Sequence, residues 1–159
     1  MSRVQLALNV ADLDEAIGFY SKLFATGPAK VRPGYANFAI ADPPLKLVLI
    51  ESADATPGSL NHLGVEVHST DEVAAAQARL ADGGLPTALE EETACCYAVQ
   101  DKVWVDGPGG EPWEIYTVLS DTEMPAGRLR ADAPGASACC STRPASATAG
   151  GTPATSSCC

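Results

Sequence analysis

All six cysteines of this 159-residue chain stand in adjacent pairs: Cys95-Cys96, Cys139-Cys140 and Cys158-Cys159. A vicinal dithiol offers two soft donors to one centre, so the pairing points to a thiol-seeking metal or metalloid. A bridge between neighbours closes almost no loop, so these pairs are poor structural staples. Reduced thiols fit better, and a cytoplasmic protein is expected. Buried cysteine also serves as a small hydrophobe. That reading stays open for Cys95-Cys96 but fails for the two later pairs, whose surroundings of Ala, Ser, Thr, Pro and Gly give nothing to pack against.

A second set of candidate donors is spread along the chain and depends on strand parity. In VQLALNV, side chains alternate, so Val4, Leu6, Leu8 and Val10 share one face and Gln5, Ala7 and Asn9 the other. In HLGVEV, Leu63, Val65 and Val67 form the aliphatic face, with His62, Gly64 and Glu66 opposite. In WEIY, Glu114 and Tyr116 lie on one side. A carboxylate in an otherwise apolar strand is costly to bury unless paired or bound to a cation. Gln5, His62 and Glu114 therefore make a three-ligand metal site. Plainer readings compete: a hydrogen-bonded core histidine for His62, an ion pair with Lys102 or Arg3 for Glu114, a backbone hydrogen bond for Gln5. Glu51, at a strand end, is a weaker fourth ligand candidate, and His68, just before a helix cap, reads as a surface residue.

The elements that must position these residues come as two copies of one unit. With an offset of 57 residues Gln5 falls on His62, Leu6 on Leu63, Leu8 on Val65, Val10 on Val67, Asp12 on Ser69, Glu15 on Glu72 and Leu23 on Leu80. Each copy opens on a strand and continues into an N-cap with Glu three positions on, the signature of a helix start. Leu13, Ile17, Tyr20 and Phe24 form an apolar stripe on the first helix, and the second is Ala-rich. Strands are expected over 35–40 and 46–50, with a short one near Lys30, and in the second copy over 97–99, 102–105 and 112–118. The turns are Ala41-Asp42-Pro43-Pro44 and Gly107-Pro108-Gly109-Gly110. The fold class is α+β.

After Leu119 the only large aliphatic side chains are Met124 and Leu129. Such a segment cannot offset its ordering entropy by burial, so residues 120–159, with two Cys pairs, are expected to form a disordered tail. Residues 1–119 are the folded unit, module 1 over about 1–55 and module 2 over about 60–119. The net charge of −10 falls entirely on that unit, since acids and bases cancel in the tail. An acidic domain without a basic stripe is a poor nucleic-acid binder and does not seek anionic membranes. The opening MSRVQLALNVADLDE turns acidic before it could form an apolar signal core, and no run is long enough to span a bilayer.

The βαβββ duplication, NHLGVEV and GPGGEPWEIYTV together resemble the vicinal oxygen chelate superfamily, which includes glyoxalase I, extradiol dioxygenases and the fosfomycin- and bleomycin-resistance proteins. The resemblance covers most of residues 1–119 and implies an open mixed β-barrel of two βαβββ modules. The stretch TACCYAVQDKVWVDGPGGEPWEIY is similar to the carbon-arsenic lyases of that superfamily. That likeness implies Fe(II) held by Gln5, His62 and Glu114, arsenic held by Cys95 and Cys96, and O2-dependent cleavage of trivalent methyl or aryl arsenicals to arsenite. Most iron dioxygenases of the fold carry His where this chain has Gln5; the lyase resemblance expects Gln. Adjacent strand residues point apart, so Cys95 and Cys96 can share one arsenic only off strand geometry, and Glu90-Glu91-Glu92-Thr93 reads as a loop before them. Tyr97, Lys102 and Tyr116 are candidates to line or gate the pocket, Trp104 and Trp113 read as packing, and no acid or base catalyst is assigned. The tail pairs are expected to capture arsenicals and pass them on. Two other functions remain: a thiol-based sequestering protein of the bleomycin-resistance type, and a metal-dependent glyoxalase- or thiol-transferase-like enzyme. The oligomeric state, including exchange of modules between two chains, stays open.

Overall fold

A computed structural model describes residues 2–95 and 97–123; Cys96 and the tail pairs Cys139-Cys140 and Cys158-Cys159 lie outside the described residues. The first module runs β1 (Arg3–Val10), α1 (Leu13–Leu23), β2 (Lys30–Arg32), β3 (Tyr35–Ile40) and β4 (Leu45–Glu51). The second runs β5 (Leu60–Glu66), α2 (Thr70–Asp82), β6 (Ala88–Cys95), β7 (Ala98–Asp106) and β8 (Pro112–Asp121). Both helices start where the caps predict. Asp12 Oδ1 accepts from Glu15 N at 2.8 Å, and Ser69 Oγ from Glu72 N at 3.3 Å. Glu51 is exposed and accepts from Leu13 N at 3.1 Å, so it serves the start of α1 and leaves the donor cluster without it.

The eight strands form one mixed sheet in the order β2-β3-β4-β1-β5-β8-β7-β6. β1 and β5 are antiparallel neighbours at its centre, each flanked by the parallel last strand of its own module. Leu6 pairs with Leu63, its own repeat equivalent, so a pseudo-twofold axis passes through that pair. Gln5 then faces Gly64 and Ala7 faces His62 across the axis. The same symmetry matches Ala7 and its partner Val48 with Gly64 and its partner Glu114. The corner that corresponds to Glu114 in the first module is therefore Val48, which is buried.

The helices cover the aliphatic faces, as parity predicts. Leu6, Leu8, Val10, Phe38, Leu47 and Leu49 pack with the α1 stripe of Leu13, Ile17, Tyr20 and Phe24. Val73, Ala76 and Leu80 of α2 pack with Val103, Val105 and Ile115. Full burial of each such side chain stabilises by roughly 1.5–3 kcal/mol. Gln5, Ala7, Asn9, His62 and Glu114 are left on the opposite, concave face, where they are also buried.

Two expectations fail in the second module. Glu90 to Thr93 belong to strand β6, because a bulge there sets Glu91 and Glu92 against the single residue Asp101. Glu92 takes φ 46°, and its amide donates to Asp101 Oδ1 at 2.8 Å. On an edge strand a run of acids stays solvated and blunts pairing with other chains. The two short strands expected over 97–99 and 102–105 are one continuous strand, β7. Its middle, Gln100-Asp101-Lys102, breaks the apolar pattern yet is buried. Asp101 is tied to Thr70 at the start of α2, and Lys102 pairs with Glu114. β8 also continues through Asp121, past Leu119.

The two halves meet again away from the axis. The chain reverses between Cys95 and Ala98, with Tyr97 at φ 61°. Tyr97 Oη donates to Pro33 O at 3.1 Å and its ring lies 5.7 Å from that of Tyr35. Lys30 bonds Asp121, and Arg32 bonds Glu123 at 3.1 Å. These contacts curl the sheet, so that its concave face becomes a sheltered site.

Candidate metal centre

Three strands bring Gln5, His62 and Glu114 together, at 4%, 2% and 2% exposure. Gln5 Nε2 lies 2.9 Å from His62 Nε2 and 2.7 Å from Glu114 Oε1, and His62 Nε2 is 3.4 Å from Glu114 Oε1. This close approach needs Gly64 between them: a Cβ there would stand 3.1 Å from Glu114 Cγ and 3.2 Å from Gln5 Cβ. His62 is braced from the side by the Trp104 ring, edge-on at 5.6 Å.

Asn61 sets the His62 tautomer. A second bulge, where Ala7 pairs with His62 but Leu8 with Leu60, lets Asn61 reach the ring of its neighbour. Asn61 Nδ2 donates to Asn9 Oδ1 at 2.9 Å, and Asn61 Oδ1 lies 2.7 Å from His62 Nδ1. An amide oxygen only accepts, so Nδ1 carries the proton and the Nε2 lone pair faces Glu114 and Gln5. Strand parity puts residues 61 and 62 on opposite faces, so no sequence signal marks Asn61.

Glu114 is charged in spite of its burial. Desolvation pushes its carboxyl up, but the Lys102 ammonium, 2.9 Å from Oε2, outweighs it and holds the group well below the usual carboxylate range. Lys102 thus engages one carboxylate oxygen and leaves the other for the centre. Of the sequence candidates, Lys102 lies inside this cluster, and Tyr97 is buried at the hairpin. Tyr116, 0% exposed, is a hydrogen-bonding member of the cluster more than a pocket wall: its Oη is 2.6 Å from Gln5 Oε1, 3.0 Å from Glu66 Oε2 and 2.9 Å from Lys46 Nζ. Burial, with the negative charges of Glu114 and Glu66, pushes its pKa up, so it stays a neutral phenol.

Lys46 and Glu66 are the other residues that sequence reasoning left unassigned. Glu66 shares its parity with His62, and two bonds from Arg3, at 3.1 and 3.2 Å, hold it. Arg3 therefore pairs with Glu66, and Glu114 with Lys102. Burial pushes the Glu66 carboxyl up, but Arg3 and Lys46 bring it below the usual range. Burial lowers Lys46, and the attraction of Glu66 only partly restores it. Arg3, Lys46, Glu66, Gln100 and Ala98 line a cavity of about 210 Å³ beside the cluster. Cys95, buried at the end of β6, pairs with Ala98 on that wall.

A family model described as Glyoxalase/Bleomycin resistance protein/Dioxygenase superfamily matches residues 3–115. The chain belongs to this superfamily. A relative from Thermomonospora curvata, named trivalent organoarsenical cleaving enzyme, is 64% identical over 143 residues, 90% of this chain and 91% of that protein. A Mycobacterium tuberculosis relative, cadmium-induced protein CadI, is 68% identical over 123 residues, 77% of this chain and 80% of that protein. Among solved structures, an extradiol ring-cleaving dioxygenase from B. fuscum superposes with a TM-score of 0.54 at 20% identity, over 76% of this chain and 34% of that one, and shares the fold.

The superfamily implies a metal cofactor, and the donors fit one. Among the described residues no three His, Cys, Asp or Glu side chains converge. The third donor is the Gln5 amide, whose protons stand between the lone pairs of His62 Nε2 and Glu114 Oε1, where a cation would be held. An imidazole, a carboxylate and an amide suit a divalent ion such as Fe(II) or Mn(II).

Proposed function

We propose that this protein cleaves the carbon-arsenic bond of trivalent organoarsenicals and releases arsenite, with Fe(II) held by Gln5, His62 and Glu114 and with O2 as co-substrate. The observation that carries the reading is the convergence of these three donors beside a cavity whose lining includes Ala98, the strand partner of Cys95, in a chain 64% identical to a trivalent organoarsenical cleaving enzyme. The two modules, from β1 through the end of β8 at Asp121, form the catalytic unit, and the protein works in the cytoplasm; among the described residues no helix is long and apolar enough to cross a membrane.

Cys95 and Cys96 exchange their thiol protons for As–S bonds, releasing two waters from the dihydroxy form of the substrate. The remaining carbon substituent is then fixed relative to the centre, which turns a bimolecular encounter into an intramolecular one. Fe(II), when bound, supplies O2 activation. Lys102 keeps Glu114 anionic, Asn61 keeps the His62 lone pair aimed inward, and the burial of the cluster excludes bulk water.

The test loads the full chain with Fe(II) without oxygen, adds a trivalent methylarsenical, admits air and follows arsenic speciation. Oxygen-dependent arsenite release, lost in Cys95→Ser and His62→Ala, is expected. Stoichiometric retention without cleavage would instead make this a sequestering protein. That second reading draws on the relative named for induction by cadmium, since a dithiol also retains soft cations without turnover.

A further inference from the structure

Gln5 is the one donor whose two ends differ, and the structure surrounds each end with a distinct set of partners. The inner end meets two acceptors, His62 Nε2 at 2.9 Å and Glu114 Oε1 at 2.7 Å. The outer end meets the Tyr116 hydroxyl at 2.6 Å. With no cation between them, the inner acceptors favour the amide nitrogen. A cation there needs the amide oxygen instead, so binding must reverse the side chain.

The outer partners favour that reversal. A phenol has one proton and two lone pairs. With Gln5 Oε1 outward, the Tyr116 hydroxyl faces two acceptors, Gln5 Oε1 and Glu66 Oε2, and can donate to only one of them. With Nε2 outward, each valence is used once: Lys46 Nζ and Gln5 Nε2 donate to the oxygen, and its proton goes to Glu66 Oε2. Glu66 is held as an acceptor by Arg3 at 3.1 and 3.2 Å and by Lys46 at 3.4 Å.

We infer that Tyr116 is a positioning residue for the metal centre: backed by Glu66 and Lys46, its hydroxyl turns the Gln5 carbonyl oxygen inward and so raises the affinity of the site for a divalent cation. The inference rests on the metal-centre reading above. Groups that orient metal ligands through hydrogen bonds contribute roughly 10–100-fold in affinity.

The test is a double-mutant cycle read by Co(II) titration of the metal-free full chain, by visible absorption and calorimetry. Tyr116→Phe removes only the hydroxyl, and Gln5→Glu replaces the two-ended amide with two equivalent oxygens, so no end remains to be chosen. Thermal melts of each metal-free variant report folding separately. The expected result is a loss of about 10–100-fold in Co(II) affinity for Tyr116→Phe in the Gln5 background, and less than about twofold in the Gln5→Glu background. An equal loss in both backgrounds, or no loss in either, would overturn the role of Tyr116 while leaving the centre standing. Co(II) binding that is absent in the wild type, or unchanged by His62→Ala, would overturn the metal-centre reading and this inference with it.

Discussion

Replacing Lys102 with Met keeps the length of the side chain and removes the ammonium that lies 2.9 Å from Glu114 Oε2, with both side chains almost completely buried. Two routes give the size of the effect. Breaking a buried ion pair by deleting one partner costs about 3–5 kcal/mol, because the other charge is left uncompensated. Alternatively, a shift of the Glu114 pKa from 4.5 to about 2 corresponds to about 3 kcal/mol of linked stability, and Lys102 is its largest favourable cause. The sign also follows. A carboxylate whose folded pKa is depressed stabilises the fold above its unfolded value and loses that stabilisation as the pH falls to about 2. In Lys102→Met burial acts unopposed by the ammonium, so the Glu114 pKa rises and the variant is weakest at neutral pH. Urea unfolding of the metal-free proteins, followed by circular dichroism, should show a gap of about 3 kcal/mol at pH 7 that narrows as the pH is lowered. A gap below about 1 kcal/mol, or one that stays constant to low pH, would refute the claim that Lys102 keeps Glu114 charged.

Gly64→Ala places a methyl 3.1 Å from Glu114 Cγ and 3.2 Å from Gln5 Cβ. It should cost roughly 1–3 kcal/mol by overpacking and weaken Co(II) binding, both measurable in one denaturation and titration series. Asn61→Ala frees the His62 tautomer and should lower Co(II) affinity about 10–100-fold, whereas His68→Ala, at an exposed position, should leave the titration unchanged. Tyr97→Phe removes the bond to Pro33 O. It should lower stability by about 1 kcal/mol and speed hydrogen exchange at Ala98, while arsenite release in the presence of saturating Fe(II) reports whether the hairpin position matters to turnover.

The convergence of the candidate donors was legible because strand alternation holds at each of them. Gln5 and His62 follow from alternation and a repeat offset of 57 residues, Glu114 from its place as a carboxylate in an otherwise apolar strand, and the structure realises that offset as the Leu6–Leu63 pair on the axis. The helix caps were legible for the same reason, since a cap is local chemistry. What escaped lies at irregularities. The bulge at Glu91-Glu92 turned a strand into an apparent loop, and the bulge at Asn61 hid the partner of His62, because one extra residue reverses parity downstream. Lys46 and Glu66 were missed for another reason: a buried charge is legible only through its partner, and their partners come from other strands, whereas Lys102 was named beforehand as a partner for Glu114.

The pseudo-twofold frame bears on how such a centre can change over generations. Two identical chains meeting on a true axis must present the same residue at matching corners, so donors could be altered only in pairs. Here both halves share one gene, and the four corners, Gln5, His62, Val48 and Glu114, are four independent codons. A donor can be gained or lost at one corner while its mate stays as it is, as the valine opposite Glu114 illustrates. Covalent fusion of the two halves thus makes ligand number an evolutionary variable that moves in steps of one.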